Sequence, residues 1–210
     1  MYNWGLMPPF ISHKLDINTE EIADKVFRLQ KYWVSRSDEF SFHTLGRNAY
    51  LDGRTPEYKQ EIKVLNPILR EQFGDTYDII IDHLSDQFKE PIKLNYSLAH
   101  PSFHIFASSP FLLTHAGLWH KDYPHITLDL GNIDPYAFTV AIKLPTGGGG
   151  MDYVEDGEQK YFPYEEKEIV CHDGTVLHRI AGLKTYVEGE YRITLQGHLI
   201  RIDGVLNMFW

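Results

Sequence analysis

Disulfides, membrane spans and a basic surface are what this chain lacks. Its single cysteine, Cys171, excludes an intramolecular disulfide framework and fits a reducing compartment, so the expected location is the cytoplasm. No stretch approaches 18 uncharged apolar residues, so no membrane-spanning helix is expected. The start, Met1-Tyr2-Asn3-Trp4-Gly5, shows neither the basic region nor the long apolar run of a signal peptide. Lys and Arg number 20 against 29 Asp and Glu, a net charge of −9. That balance excludes a sequence-independent grip on nucleic acid phosphates or anionic lipid, while leaving room for a small basic pocket that takes a single anion. Charge is also modest in amount, at 23% of residues against 43% apolar and 14% aromatic, which excludes disorder. A chain of 210 residues with that composition fills one core, and a single domain over 1–210 is expected.

Helical signals fill the first 90 residues. Residues 1–15 are apolar and irregular around Pro8-Pro9-Phe10, and suit either a lead-in strand or an arm laid on the core. Asn18 with Glu21 three residues on resembles a capping box, and Ile22, Val26, Leu29 and Trp33 predict an amphipathic helix over 19–34. Phe42 to Asp52 reads as a loop ending at the Asp52-Gly53 turn. Thr55-Pro56 opens a second helix that Gly74 is expected to stop, and Thr76 to Phe88 reads as a third.

After Pro91 the pattern changes to short strands: 92–98, 103–107, 125–130, 137–144, 168–171, 175–180 and 191–201, separated by turn residues such as Asn132, Asp134-Pro135, Gly147 to Gly150, Asp173-Gly174 and Gly189. Close-spaced short strands predict a sandwich or jelly roll, with the N-terminal helices bracing it. The glycine run 147–150 lacks the Lys-Ser/Thr of a phosphate-binding loop and reads as a flexible turn.

Within this β region, Trp119-His120-Lys121-Asp122-Tyr123 sets an imidazole and a carboxylate two residues apart, hence on one face of a strand, with Lys121 pointing away. Joined by a second imidazole, such a pair makes a facial triad that holds Fe(II) by three positions. In a chain with eleven histidines a His-x-Asp pair also arises by chance, so its context decides. Downstream, His178 follows the Gly174-Thr175-Val176-Leu177 turn and strand start. Arg192 and Thr194 share a face of the strand Tyr191-Arg192-Ile193-Thr194-Leu195. An inward arginine needs an anionic partner, and a guanidinium beside a hydroxyl suits a dicarboxylate, although an edge-strand salt bridge to Glu188 or Glu190 is the plainer alternative.

In order, spacing and strand texture, His120-x-Asp122, His178 and Arg192-x-Thr194 resemble the Fe(II)/2-oxoglutarate-dependent oxygenases over roughly residues 90–205. The resemblance implies a double-stranded β-helix, with His120, Asp122 and His178 ligating iron. It also implies that Arg192 pairs with the distal carboxylate of 2-oxoglutarate, with Thr194 as the supporting hydroxyl where several subfamilies have Ser. The reaction it implies uses O2, converts the co-substrate to succinate and CO2, and hydroxylates an unactivated C–H bond. A carboxylate at 122 favours hydroxylation or desaturation over halogenation, since related halogenases have a small residue there.

The substrate is less legible: a small metabolite or a peptide-like molecule is expected. Trp119, Tyr123, Asp152 and Tyr153 flank the site in sequence as candidate substrate contacts, with a solvated loop the competing reading for Asp152-Tyr153. His104, alternating within Phe103-His104-Ile105, is either a polar contact to the co-substrate or a structural residue; His115, His125 and His198 read as structural, and Cys171 as a small buried apolar residue. The rival functions are a hydroxylase of a protein side chain, a non-oxidative cupin-like metal protein, and a jelly-roll module without catalysis.

Overall fold

The computed structural model describes residues 10–114, 117–128 and 135–210. The expectations for residues 1–9, for His115, for the end of the 125–130 strand and for Asn132 and Asp134 lie outside them.

A short strand, β1 (Phe10–Lys14), precedes helix α1 (Thr19–Arg28). Asn18 caps α1 as expected, its Oδ1 accepting from the Glu21 amide at 3.2 Å. The helix is shorter than the 19–34 periodicity predicts. A 3-10 turn over Gln30–Tyr32 follows Leu29, and Trp33 opens strand β2 (Trp33–Ser35), drawn into pairing with β3 (Phe42–Leu45). The stretch read as a loop therefore contains β3 and a one-turn helix α2 (Ala49–Asp52), capped by Asn48.

Helix α3 runs unbroken over Pro56–Phe88, 33 residues, where two helices were expected. Its buried stripe Leu65, Leu69, Phe73, Tyr77, Ile80, Leu84 and Phe88 keeps helical spacing straight across Gly74, so burial overrides the glycine's cost. Arg70 reinforces that point, donating to the Gly74 carbonyl at 3.1 Å and to both oxygens of Asp78.

The remaining strands are β4 (Ile92–Leu94), β5 (Ser102–Ala107), β6 (Tyr136–Lys143), β7 (Met151–Glu155), β8 (Glu158–Phe162), β9 (Glu168–Asp173), β10 (His178–Ile180), β11 (Tyr191–Ile202) and β12 (Val205–Phe209), with one-turn helices α4 (Phe111–Thr114) and α5 (Pro124–Thr127) between β5 and β6. Pro124, at the first position of α5, starts a helix where a strand from His125 was expected. Strands β7, β8 and β12 were not foreseen; β8 and β12 follow Asp156-Gly157 and Asp203-Gly204, whose four residues all have positive φ, the geometry of tight hairpin turns.

A large sheet runs β1-β9-β6-β11-β5-β3-β2, with β12 against β11 and β4 beside it, and a small sheet runs β10-β7-β8. This is the jelly roll that the strand pattern predicts. The N-terminal region is mostly helical as expected, but it also gives β1, β2 and β3 to the large sheet. Helices α1 and α3 share a core with one face of that sheet, through Val26, Phe73, Tyr77 and Ile80 against Phe103, Ile105, Phe138 and Leu195. Cys171 is buried there as expected, and burial pushes its thiol up to about 12. No helix among the described residues is long and apolar enough to cross a membrane.

Candidate metal centre and its cavity

Two elements that barely qualify as strands hold the centre. His120 and His178 form an isolated antiparallel bridge, each amide donating to the other's carbonyl, at 2.9 and 3.0 Å. Asp122 lies beyond that bridge, outside any strand, and its amide donates to the Gly174 carbonyl at 2.8 Å. A Cβ on Gly174 would sit 2.8 Å from the Asp122 carbonyl oxygen, so glycine is what lets the two segments touch. The two side chains converge as expected, through this pair of anchors rather than through strand alternation. Lys121 is exposed and borders the cavity mouth.

One ligand atom from each of His120, Asp122 and His178 lies within 4.8 Å of the others. Both imidazoles spend Nδ1 on a backbone carbonyl, His120 on Leu118 at 2.8 Å and His178 on Val176 at 2.9 Å, which leaves Nε2 as the free donor pointing at the centre. Burial pushes His178 down to about 4, so its imidazole is neutral at physiological pH. Burial alone would raise Asp122, but the imidazoles of His198, His178 and His172 around it hold its carboxyl well below the usual carboxylate range. Two imidazole nitrogens and one ionised carboxylate, open on one side, form a donor set that fits a first-row divalent metal such as Fe(II).

His172 and His198 are the residues that sequence reasoning missed here. Their Nε2 atoms stand 3.9 Å from Asp122 Oδ2 and 3.8 Å from Asp122 Oδ1. The signal for His172 was strand alternation, since its neighbour Cys171 faces the helical core.

The centre opens into a cavity of about 800 Å³ between the sheets. On its far wall Arg192 is buried, and Thr194 beside it has no exposure at all. Arg192 donates from Nε to the Gly149 carbonyl at 3.1 Å and from Nη1 to Thr194 Oγ1 at 3.3 Å. The alternative reading, an edge-strand salt bridge, does not hold: Arg192 has no carboxylate partner among the described residues, and Glu190 accepts from Thr146 instead. Burial lowers the Arg192 pKa, as an uncompensated cation requires. A β-bulge between Ile193 and Thr194, against β6, marks this turn of the sheet. The glycine run that supplies the Gly149 carbonyl packs tightly rather than flexing, since a Cβ on Gly147 would fall 1.9 Å from the Thr185 carbonyl oxygen.

His104 faces the same cavity, opposite Thr194 in the β5–β11 register, with Nε2 3.1 Å from the Tyr50 hydroxyl. Burial, with Arg192 nearby, pushes it down to about 3, so it is neutral.

The four candidate substrate contacts separate. Tyr123 lines the cavity. Asp152 is buried and accepts from Arg179 Nε at 3.0 Å, and Arg179 in turn lies over the Trp119 ring at 4.5 Å. Tyr153 packs edge-on against Phe10. Trp119, Asp152 and Tyr153 thus do not line the cavity; Asp152 and Tyr153 sit on β7, from which Met151 is the residue that does.

No protein-family model and no curated protein sequence matches the chain. Solved structures do. An N-substituted L-amino acid dioxygenase from Burkholderia ambifaria superposes with a TM-score of 0.58 at 13% identity, covering 96% of this chain and 86% of that one. The same enzyme in complex with alpha-KG (2-oxoglutarate) gives 0.58 at 12% over the same shares. EvdO2 from Micromonospora carbonacea gives 0.53 at 12%, covering 91% and 86%. At such identity the likeness establishes architecture: the chain has the jelly-roll fold of these structures, with a His-Asp-His set between its two sheets.

Proposed function

We propose that this protein is an Fe(II)- and 2-oxoglutarate-dependent dioxygenase that hydroxylates a C–H bond of a small molecule. The observation that carries the reading is Arg192, a buried cation with no carboxylate partner among the described residues, facing the cavity that also holds the three-donor centre. Leaving a guanidinium buried without a counter-charge is costly, and a dicarboxylate that paired with Arg192 would remove that cost.

When bound, iron with 2-oxoglutarate and O2 supplies the oxidant, for the overall change R–H + 2-oxoglutarate + O2 → R–OH + succinate + CO2. His120, Asp122 and His178 would hold the metal, each offering one ligand atom. The carbonyls of Leu118 and Val176 fix both imidazoles in the tautomer that donates to a metal. His172 and His198 steady the Asp122 carboxylate from behind. Arg192 and Thr194 bind the distal carboxylate of the co-substrate, and neutral His104, held by Tyr50, lines the same pocket. The apolar walls keep bulk water from the reacting C–H bond. One buried free cysteine suits work in the cytoplasm.

The test is anaerobic addition of Fe(II) and 2-oxoglutarate. A weak visible charge-transfer band that disappears in His178→Ala supports the assignment, as does O2-dependent succinate release. Metal-loaded protein that shows neither band nor succinate overturns it.

A further inference from the structure

Tyr50 reaches the cavity from the one-turn helix α2. The turn is clamped at its start and its middle. The Ala49 amide donates to the Trp210 carbonyl at 2.8 Å, and Thr127 Oγ1 donates to the Tyr50 carbonyl at 3.2 Å. The Tyr50 hydroxyl lies 3.1 Å from His104 Nε2, its one hydrogen-bond partner among the described residues.

Which of the two carries the shared hydrogen follows from the other side of the imidazole. His104 Nδ1 is buried with no partner among the described residues. Trp210, which packs on the His104 ring at 5.5 Å, offers only an indole N–H, itself buried and unpartnered. A neutral imidazole carries one ring hydrogen. On Nδ1 it would be a buried donor without an acceptor, whereas on Nε2 it meets the Tyr50 oxygen. His104 therefore donates to Tyr50, and the Tyr50 hydrogen turns to the cavity with no acceptor on the protein. Burial, and after it the Asp122 carboxylate, push this hydroxyl well above the usual tyrosine range, so the hydrogen stays in place.

The position of the pair narrows what can accept that hydrogen. Thr44, His104 and Thr194 form one row across β3, β5 and β11. On β11, Arg192 comes two residues before Thr194, and His198, 3.8 Å from Asp122, comes four after it; all line the cavity. The Tyr50 ring meets His198 edge-on, at 5.7 Å and 76°. A molecule that stretches from Arg192 to the three-donor centre thus passes the Tyr50 hydroxyl toward its inner end.

We propose that Tyr50 binds the 2-oxo acid end of the co-substrate, its hydroxyl donating to the oxygens of that end while Arg192 and Thr194 hold the opposite carboxylate. The inference rests on the oxygenase reading. Recognition is then divided between a buried cation at one end and a neutral donor, oriented by His104, at the other.

The experiment compares wild type with Tyr50→Phe, which keeps the ring and deletes the hydroxyl, under anaerobic Fe(II). 2-Oxoglutarate is titrated by its charge-transfer band. Pentanoate, with a carboxylate for Arg192 and no oxygen at its other end, is titrated by displacement of that band. Tyr50→Phe is expected to weaken 2-oxoglutarate about tenfold and pentanoate by less than about twofold. Equal losses for both ligands make Tyr50 a packing residue and overturn the inference, as does an unchanged affinity for 2-oxoglutarate. Nitrogen NMR of histidine-labelled, metal-free wild type tests the orientation without any variant: His104 Nδ1 is expected as the unprotonated nitrogen, and a protonated Nδ1 overturns the inference. Wild-type protein that binds no 2-oxoglutarate overturns the oxygenase reading itself, and with it the ligand assigned to Tyr50.

Discussion

His120 and His178 exchange both of their backbone hydrogen bonds with each other, so the two imidazoles of the centre are fixed by a single antiparallel bridge. His120 and His178 would hold a metal together with Asp122, and loss of either imidazole would leave two donors. In His178→Ala the iron site is expected to be lost. Asp122→Asn is expected to weaken iron by about tenfold or more, a size already typical for residues that merely orient ligands. Metal titration monitored by competition with a chromogenic chelator measures both.

Arg192→Ala removes the buried cation without touching the metal donors. The concentration of 2-oxoglutarate needed for the charge-transfer band should rise roughly 30-fold or more, about 2 kcal/mol or more, while iron affinity changes little. Equal effects on both would make Arg192 a packing residue.

Arg179 spans the outside of the bridge, stacked on Trp119 and bonded to Asp152. Arg179→Ala leaves the buried Asp152 carboxylate without this partner, and the expected loss is about 1–3 kcal/mol of stability in urea unfolding. The double variant with Asp152→Asn should recover part of that loss.

Buried imidazoles set a pH dependence, and three of them are shifted furthest. Burial pushes His100 and His178 down to about 4 and His104 down to about 3, from 6.5 in the unfolded chain. The unfolded chain therefore binds more protons below 6.5, and the stability that these groups contribute is complete above 6.5 and falls as pH drops toward 4. The slope is up to about 1.4 kcal/mol per pH unit for each group. Urea unfolding of metal-free protein at pH 7 and pH 5 reads this directly, and His100→Gln, remote from the centre, should flatten it.

The chemistry-bearing residues were legible because each rests on local spacing or on a period of two. His120-x-Asp122, His178 and Arg192-x-Thr194 announce their own pattern, and the strands β5, β6, β9 and β11 alternate as buried sheet requires. The sequence alone thereby determined the donor types, the inward-facing arginine and the jelly-roll class. What it missed was decided across long separations. Gly74 lies in an unbroken helix because the stripe from Leu65 to Phe88 is buried against a sheet assembled from distant segments. Trp33 leaves its helix to pair with Leu45, and Asp152 turns to Arg179 rather than to the cavity. Phe42 and Phe106 are ordinary apolar residues in the chain, and only the pairing of β3 with β5 and β11 sets them in one row with Arg192. Local propensity is worth tenths of a kcal/mol per residue, whereas burying an aromatic side chain is worth a few, so wherever the two conflicted the tertiary contacts prevailed.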